Sequence, residues 1–251
     1  IQFAGADGFD FSRCYPQPEF NQRSILWDLN YFKYCFLKAT GMEFQEDKLE
    51  DDFQKMSDVL LRSSSATFMY RDFQSRNVMI KDGEPWFIDF QGGRKGPFYY
   101  DIASFLWQAK AKYPDSLRKE LLQEYMEALR KYQPIDESYF YSQLRHFVLF
   151  RTLQVLGAYG FRGYFEKKPH FIQSVPYAIE NLRELLKEEY PEYPYPEVIG
   201  YVNNDDGTLT LKVQAVFPYR GVSKAYIHEV TVRDTKDGGI PVSYTHLRAH
   251  E

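Results

Sequence analysis

The stretch FMYRDFQSRNVMIKDGEPWFIDFQGG, residues 68–93, places three oxygen-bearing side chains at short intervals along the chain. They are Asp72, Asn77 and Asp89. Carboxylate and amide oxygens are hard ligands of the kind that Mg²⁺ prefers, and this ion leaves its other positions to water and phosphate oxygens. The pattern therefore indicates magnesium-assisted chemistry on a phosphate.

A β-hairpin is the element that must position these groups. The Asp-Gly dipeptide at 82–83 is a strong signal for a two-residue turn, and apolar runs flank it on both sides. In a turn of this form Lys81 pairs with Glu84. Counting outward from that pair places Asn77 opposite Ile88, at the open end of the hairpin.

The segments next to the hairpin complete the predicted site. Asp89 follows Ile88, so it emerges beside Asn77, and Asp72 lies five residues before Asn77 on a loop that can fold back over the same point. The alternative is a surface hairpin with polar flanks by chance. Three groups at fixed spacing, with Asp101 following, favour the site over that alternative.

Helical periodicity dominates the rest of residues 20–189. Helices are predicted at 20–40, 46–62, from Asp101 onward, 115–131, 137–158 and 173–189. The stretch 137–158 is apolar over much of its circumference, so we expect it to be central and buried. The fold class is therefore mainly α with a small β-hairpin, an α+β arrangement.

The composition changes after residue 190, and this divides the chain. We expect one domain over 1–190, a Pro/Tyr-rich linker over 191–197 and a β-rich unit over 198–240, which begins either an appended domain or an extension of the first. Residues 241–251 resemble translated sequencing-adapter DNA and are set aside as non-native. Ile1 opens the chain within what reads as mid-domain sequence, so we expect a fragment.

Composition and charge narrow the class of protein. The two cysteines form no CxxC pair and the five histidines have no zinc-ligand spacing, so a reducing, cytoplasmic environment is expected. The formal net charge of −4 has mixed signs along the chain and favours neither nucleic acid nor a membrane surface as a partner. No run reaches the roughly 18 apolar residues of a membrane-spanning helix.

The hairpin motifs have a known counterpart. An Asp, an Asn five residues later, and an Asp after the next strand is the spacing of kinase catalytic and metal loops. YRDFQSRN and IDFQGG…YYDIAS resemble the aminoglycoside phosphotransferase and choline kinase superfamily. With LQVLGAYGFRGYFEKKPHF, they look most like its kinases of the anomeric N-acetylmuramate/N-acetylglucosamine type. The resemblance covers residues 1–190 and implies the C-terminal lobe of a protein-kinase-like fold.

The resemblance implies a role for each matching residue. Asp72 is expected to be the catalytic base, and Asn77 and Asp89 are expected to hold Mg²⁺ against the phosphates of ATP. Asp101 is expected to brace the catalytic loop, although it can equally be an ordinary helix N-cap. Residues inside the loop are expected to touch the substrate or phosphate: Gln74, Ser75 and Arg76.

Two departures from the family's pattern are visible. The family's His is Tyr70 here, at a position that is generally structural. The glycine-rich loop, the strand lysine and its glutamate partner, which grip the α- and β-phosphates, would precede Ile1. The resemblance therefore implies that the isolated fragment is inactive or nearly so.

The acceptor is expected to be a small hydroxylated metabolite, and an amino sugar is favoured. Arg76, Arg94 and Lys95 suit a neutral or acidic sugar better than a polycationic aminoglycoside. Choline or homoserine is the second choice, and a non-catalytic kinase-like binding protein is the alternative outside the enzymes. The glycines at 92, 93 and 96 are interpreted as a flexible loop and not as a phosphate cradle. Tyr159, Phe161 and Tyr164 lie where the family shapes its substrate cleft.

Overall fold

The computed structural model of the chain describes residues 1–63, 66–189, 195–205, 208–216, 227–233 and 242–248. The chain divides into two compact units, Ile1–Leu182 and Arg183–Glu251. The α-helices are α1 Gln22–Phe32, α2 Glu46–Leu60, α3 Tyr99–Leu106, α4 Asp115–Leu129, α5 Glu137–Gly160, α6 Pro169–Ile172 and α7 Val175–Glu189. The predicted helices are confirmed, and their observed ends lie within a few residues of the predicted ones. The exception is the first, predicted over 20–40, where α1 ends at Phe32 and π-helical and 3-10 turns follow.

The start and stop of the first helical segment follow from its sequence. Asn21 caps α1 by accepting from the Ser24 backbone N–H at 3.0 Å, while the Ser24 hydroxyl accepts from the Asn21 N–H at 3.1 Å. This reciprocal capping box satisfies two free N–H groups. After α1 a π-helical turn, Lys33–Leu37, and a 3-10 turn, Lys38–Thr40, continue to Gly41, whose φ of 71° ends the helix in the left-handed conformation.

Helix α5 lies at the centre of the first unit, as predicted. Phe147 and Phe150 on α5 are fully buried and contact Phe20 in aromatic pairs. Gly157 allows α5 to approach α1 closely, since a Cβ there would lie 2.8 Å from the Phe32 backbone nitrogen. Although α5 has 24 residues, no helix in the described part of the chain is long and apolar enough to cross a membrane.

Two short antiparallel pairs accompany these helices. Strands β2, Val78–Lys81, and β3, Glu84–Phe87, form the predicted hairpin. Strands β1, Thr67–Met69, and β4, Arg94–Gly96, form the second pair. The prediction of a flexible glycine loop is therefore wrong at 94–96, which form β4. Gly96 is needed for packing, because a Cβ there would lie 2.8 Å from the Met69 side chain.

The second unit contains a four-stranded antiparallel sheet in the order β5-β6-β7-β8. Its strands are β5 Tyr195–Asn203, β6 Thr208–Val216, β7 Ile227–Arg233 and β8 Val242–Arg248. The β-rich character predicted for residues 198–240 is confirmed in their described part by β6 and β7. Residues 195–197, expected to be linker, begin β5, and 191–194 lie outside the described residues. The segment set aside as non-native includes β8, and its origin stays a prediction.

Candidate active site

The hairpin has the predicted turn and register. Residues 82 and 83 have φ values of 54° and 80°, the positive pair that a two-residue turn of this kind requires. Lys81 pairs with Glu84, and the Ile88 N–H donates to the Asn77 carbonyl at 3.1 Å. The prediction that Asn77 lies opposite Ile88 is confirmed, and it follows from the local turn sequence alone.

Asn77 links the two predicted carboxylates. It is only 5% exposed, and its Nδ2 donates to the Asp72 backbone carbonyl at 2.8 Å and to Asp89 Oδ2 at 3.3 Å. Asp89 itself is exposed, has a positive φ of 69°, and accepts from Gln91 Nε2 at 2.6 Å. A non-glycine residue in this conformation is strained, and such strain is concentrated at functional sites.

The Asp72 carboxylate points toward α5. Its Oδ1 accepts from Arg151 Nη2 at 3.2 Å, and the Arg151 Nε donates to the Ser104 hydroxyl at 3.0 Å. The Arg151 side chain is 6% exposed, whereas the Asp72 side chain is 43% exposed. A buried guanidinium thus fixes a carboxylate that still reaches solvent. The expectation that all three oxygen groups surround one point needs this refinement: Asp72 meets Asn77 through its backbone and Arg151 through its side chain.

Asp101 braces the segment before Asp72. Its two carboxylate oxygens accept from the Tyr70 N–H at 2.8 Å and from the Arg71 N–H at 2.9 Å. Burial raises the pKa of Asp101 to about 6, even though these hydrogen bonds and one from Gln2 act to lower it. The N-cap interpretation is wrong, since α3 begins at Tyr99 and Asp101 lies in its first turn.

Two further contacts hold the same segment. Arg71 has a φ of 76°, and its Nη2 lies 3.1 Å from the buried Asp28 carboxylate on α1. Tyr70, which replaces the family's His, is 3% exposed and donates its hydroxyl to the Ile88 carbonyl. Tyr70 therefore ties the segment to the hairpin, which is a structural role.

The residues at the open end of the hairpin fit a magnesium ion shared with phosphate. The buried Asn77 and the exposed Asp89 bring an amide and a carboxylate together, and Mg²⁺ is commonly bound by one or two such groups with phosphates and water. Among the described residues, no three His, Cys, Asp or Glu side chains gather as a metal cage. The two side chains thus suit an ion whose coordination is completed by the phosphates of a bound nucleotide.

A pocket of about 350 Å³ opens beside Arg151. Its walls come from the loop after Asp72, the end of α3 and the segment after it, the C-terminal half of α5, and α6 and α7. The lining includes Gln74, Ser75, Arg76, Ser104, Trp107, Gln108, Lys110, Arg151, Tyr159, His170 and Asn181. A cavity of this size next to a fixed carboxylate is large enough for a small metabolite.

Some of the predicted substrate residues line the pocket and others do not. Gln74, Ser75 and Arg76 all line the pocket, and Ser75 donates its N–H and hydroxyl to Gln108 Oε1, each at 2.9 Å. Arg94 does not line it. This residue is 2% exposed on β4, where the pairing with β1 buries it, so the expectation that its charge suits the acceptor is wrong.

Of the aromatic residues expected in the substrate cleft, one lines the pocket, and Lys95 does not. Tyr159 lines the pocket, whereas Phe161 and Tyr164 are not among the described residues that line it. Lys95 is exposed on β4 and is likewise outside this lining. Of the three cations assigned to substrate charge from the sequence, Arg76 is therefore the one that faces the pocket.

Arg151 and Asp28 are the residues that sequence reasoning missed. Each is a charged residue within an otherwise apolar helical stripe, and charged residues are almost never fully buried unless they are paired. That signal could have marked both as buried partners. It could not have named Asp72 and Arg71 as the groups they pair with, since those pairs span 79 and 43 residues.

Two protein-family models match this chain, and one of them covers the hairpin of the candidate site. The model of the phosphotransferase enzyme family matches residues 13–135, a range that contains Asp72, Asn77, Asp89 and Asp101. The model of a family of unknown function (DUF6070) matches residues 170–244. The first match therefore covers the hairpin and α3, and the second covers the chain from α6 into β8.

Curated relatives carry one common name. The N-acetylmuramate/N-acetylglucosamine kinase of Neisseria meningitidis serogroup B is 29% identical over 179 residues, which are 68% of this chain and 53% of that protein. That of Pseudomonas aeruginosa is 26% identical over 167 residues, 63% of this chain and 49% of that protein. The chain spans about half the length of the curated relatives it matches. Its resemblance to the aminoglycoside phosphotransferase and choline kinase superfamily, and within it to the amino-sugar kinases, is therefore confirmed.

Proposed function

We propose that this chain forms the catalytic and acceptor-binding part of an ATP-dependent phosphotransferase that acts on a hydroxyl group of an amino sugar. One observation carries the proposal. Asp72 is fixed by Arg151 at the edge of the pocket, and Asn77 joins the same loop to Asp89 at 3.3 Å. A base, a metal-binding pair and an acceptor cavity are thus adjacent, which is what phosphoryl transfer to a small molecule requires.

Each residue has a defined task in the proposed reaction. Asp72 orients the acceptor hydroxyl and accepts its proton as the hydroxyl oxygen bonds to the γ-phosphorus of ATP and ADP leaves. Arg151 holds the Asp72 carboxylate toward the pocket, and Asp101 fixes the backbone just before it. Asn77 and Asp89 would hold Mg²⁺, which neutralises charge on the phosphate oxygens when it is bound.

The pocket favours a sugar over the other candidate acceptors. A cationic acceptor such as choline or an aminoglycoside is best bound where carboxylates face it and no positive side chain competes. The described lining holds Arg76 and Lys110 and has no Asp or Glu. Two curated relatives are named as kinases of N-acetylmuramate and N-acetylglucosamine, which supports the same choice of acceptor.

The test uses a fusion of this chain to the part of the Neisseria meningitidis kinase that the match does not cover, called here the joined protein. Formation of phosphorylated sugar from ATP is measured with N-acetylglucosamine, N-acetylmuramate, choline and an aminoglycoside. We expect Mg²⁺-dependent transfer to the sugars. The Asp89→Asn variant should lower the rate about 100-fold, because a metal ligand supports several kcal/mol of transition-state charge stabilisation.

A matched control lies on the same hairpin. Asp82 is an exposed carboxylate in the turn, at the opposite end from Asp89, and Asn is equally suited to its positive φ. The Asp82→Asn variant should transfer phosphate at the unchanged rate. Equal rates for Asp89→Asn and Asp82→Asn, or transfer to choline alone, would contradict the proposed function.

A further inference from the structure

The residue before the proposed base has an unusual backbone conformation. Arg71 has a φ of 76°, in the left-handed region that a residue with a long side chain rarely adopts. Asp72 follows it directly, so the direction in which the Asp72 side chain leaves the backbone depends on this angle. Strain of this kind persists only where the surroundings hold the residue in place. The groups that hold Arg71 therefore also orient the proposed base.

Helix α1 holds the Arg71 side chain. The guanidinium Nη2 lies 3.1 Å from Asp28 Oδ1 and 3.5 Å from Asp28 Oδ2. The Arg71 side chain is 18% exposed and the Asp28 side chain is 6% exposed, so solvent and salt screen this pair only weakly. Asp101 holds the same segment through its backbone N–H groups, whereas Asp28 holds it through a side chain. The segment is thus braced by separate contacts from α3 and from α1.

The same guanidinium lies within electrostatic reach of the proposed base. Burial acts to lower the pKa of Arg71, yet this pKa is raised, and the charge of Asp28 contributes more to the rise than the charge of Asp72. A buried guanidinium that loses its partner is strongly unfavourable, and without Asp28 the carboxylate that acts on Arg71 is Asp72. Because Asp72 already accepts from Arg151 at 3.2 Å, a second guanidinium there would compete with the acceptor hydroxyl.

We propose that Asp28 is a positioning residue for phosphoryl transfer: it binds the Arg71 guanidinium, keeps the backbone before Asp72 in the left-handed conformation, and leaves the Asp72 carboxylate to Arg151 and the acceptor. This inference rests on the proposed function for the role of Asp72 as the base. It adds α1, an element outside the hairpin and outside the described lining of the acceptor pocket, to the parts that set the geometry of the reaction.

The first test is hydrogen exchange of the 251-residue chain, followed by mass spectrometry of peptides that contain residues 70–74. Asp28→Asn keeps the shape of the side chain and removes its charge. We expect the backbone N–H groups of this segment to exchange about tenfold faster or more, because exchange reports local opening. In the Arg71→Gly background, where glycine adopts a positive φ without strain, Asp28→Asn should add little to the exchange rate.

Lys33→Gln is the matched control. Lys33 follows Asp28 by five residues and is also a buried charge, with a side chain that is 4% exposed, but it pairs with two glutamates of α2. Its substitution should lower the melting temperature and leave the exchange of residues 70–74 unchanged. Arg71→Lys keeps a positive charge opposite Asp28 but loses the planar fork, so it tests the same contact if Asp28→Asn does not fold. Severalfold faster exchange is expected for it.

The second test measures phosphate transfer by the joined protein. Asp28→Asn should lower kcat about tenfold while the KM for ATP stays nearly constant, since Asp28 lies outside the proposed metal site and the described pocket lining. Lys33→Gln should leave kcat unchanged. A purely structural role for Asp28 would lower the melting temperature in both variants without this difference in kcat.

The outcomes separate this inference from the proposed function. Unchanged exchange of residues 70–74 in both Asp28→Asn and Arg71→Lys, or equal acceleration by Asp28→Asn and Lys33→Gln, would overturn the inference. An equal effect of Asp28→Asn with and without Arg71→Gly would do the same. If exchange rises as expected but the unsubstituted joined protein transfers no phosphate, the brace from α1 stands and the proposed function fails. If the joined protein transfers phosphate and Asp28→Asn retains full kcat, the function stands and this inference fails.

Discussion

Asp101 and Arg151 hold one side of the candidate site from within the core, whereas the hairpin that carries the other side is largely in solvent. We call Asp72 with Asp101 and Arg151 the anchored side, and Asn77, Asp89 and strands β2 and β3 the open side. Asp101 is 4% and Arg151 5% exposed, while Ile80 and Trp86 on the hairpin are 69% and 58% exposed. The proposed base is thus pre-oriented by packed elements, and Asp89, the exposed one of the two proposed metal ligands, lies where a nucleotide can reach it.

Removing the Asp101 carboxylate should give the largest loss of stability. Asp101→Ala leaves the buried Tyr70 N–H and the half-buried Arg71 N–H without their acceptor, and each unsatisfied buried group costs about 1–3 kcal/mol. We expect the free energy of unfolding at pH 7 to fall by about 2–5 kcal/mol. The chain's three tryptophans, at 27, 86 and 107, all lie in the first unit, so urea unfolding followed by their fluorescence measures this loss.

The same carboxyl group predicts a pH dependence of stability. Burial raises the pKa of Asp101 to about 6 from an ordinary value of 3.8. Between these pH values the folded chain holds the proton that the unfolded chain has released, so stability falls as pH rises from about 4 to above 6. The contribution is on the order of 3 kcal/mol.

Asp101→Asn isolates this contribution because the amide does not titrate. Unfolding free energies of the chain and the variant are measured from pH 4 to pH 7. The difference between the two curves should change across that window, with the unsubstituted chain losing more stability as pH rises. Parallel curves would show that Asp101 does not hold its proton in the folded chain.

Arg151 should affect catalysis as a positioning residue. Arg151→Gln keeps a hydrogen-bond donor but loses the charge and reach that fix Asp72, so we expect the kcat of the joined protein to fall about tenfold or more while the KM for ATP stays nearly constant. Arg151→Lys should restore part of the rate. A fall in KM alone, or no recovery with lysine after equal folding, would contradict the positioning role.

The smallest effect is expected on the open side. Ile80→Thr replaces an exposed apolar side chain by another β-branched residue, and the unfolding free energy should change by less than about 0.5 kcal/mol. Fluorescence-monitored urea unfolding is again the measurement. A loss comparable with that of Asp101→Ala would mean that the hairpin is part of the core, and the distinction between the two sides would disappear.

The two sides also differ in what the sequence could reveal. The open side is local: an Asp-Gly turn sets the register, and the register places Asn77 next to Asp89. The anchored side depends on the packing of α3 and α5, so the Asp72–Arg151 pair across 79 residues was not predictable from periodicity. Periodicity placed the helices because it reflects burial, but it left Arg94 misjudged, since the β1–β4 pairing that buries Arg94 has no turn signal of its own.

The central claim is that Asp72 is the base of a phosphoryl-transfer site, and single-turnover transfer by the Asp72→Asn form of the joined protein tests it most directly. We expect transfer of the γ-phosphoryl group to N-acetylmuramate to slow by about 10²–10⁴-fold, with sugar affinity and melting temperature little changed. Transfer at the rate of the unsubstituted joined protein would contradict the claim.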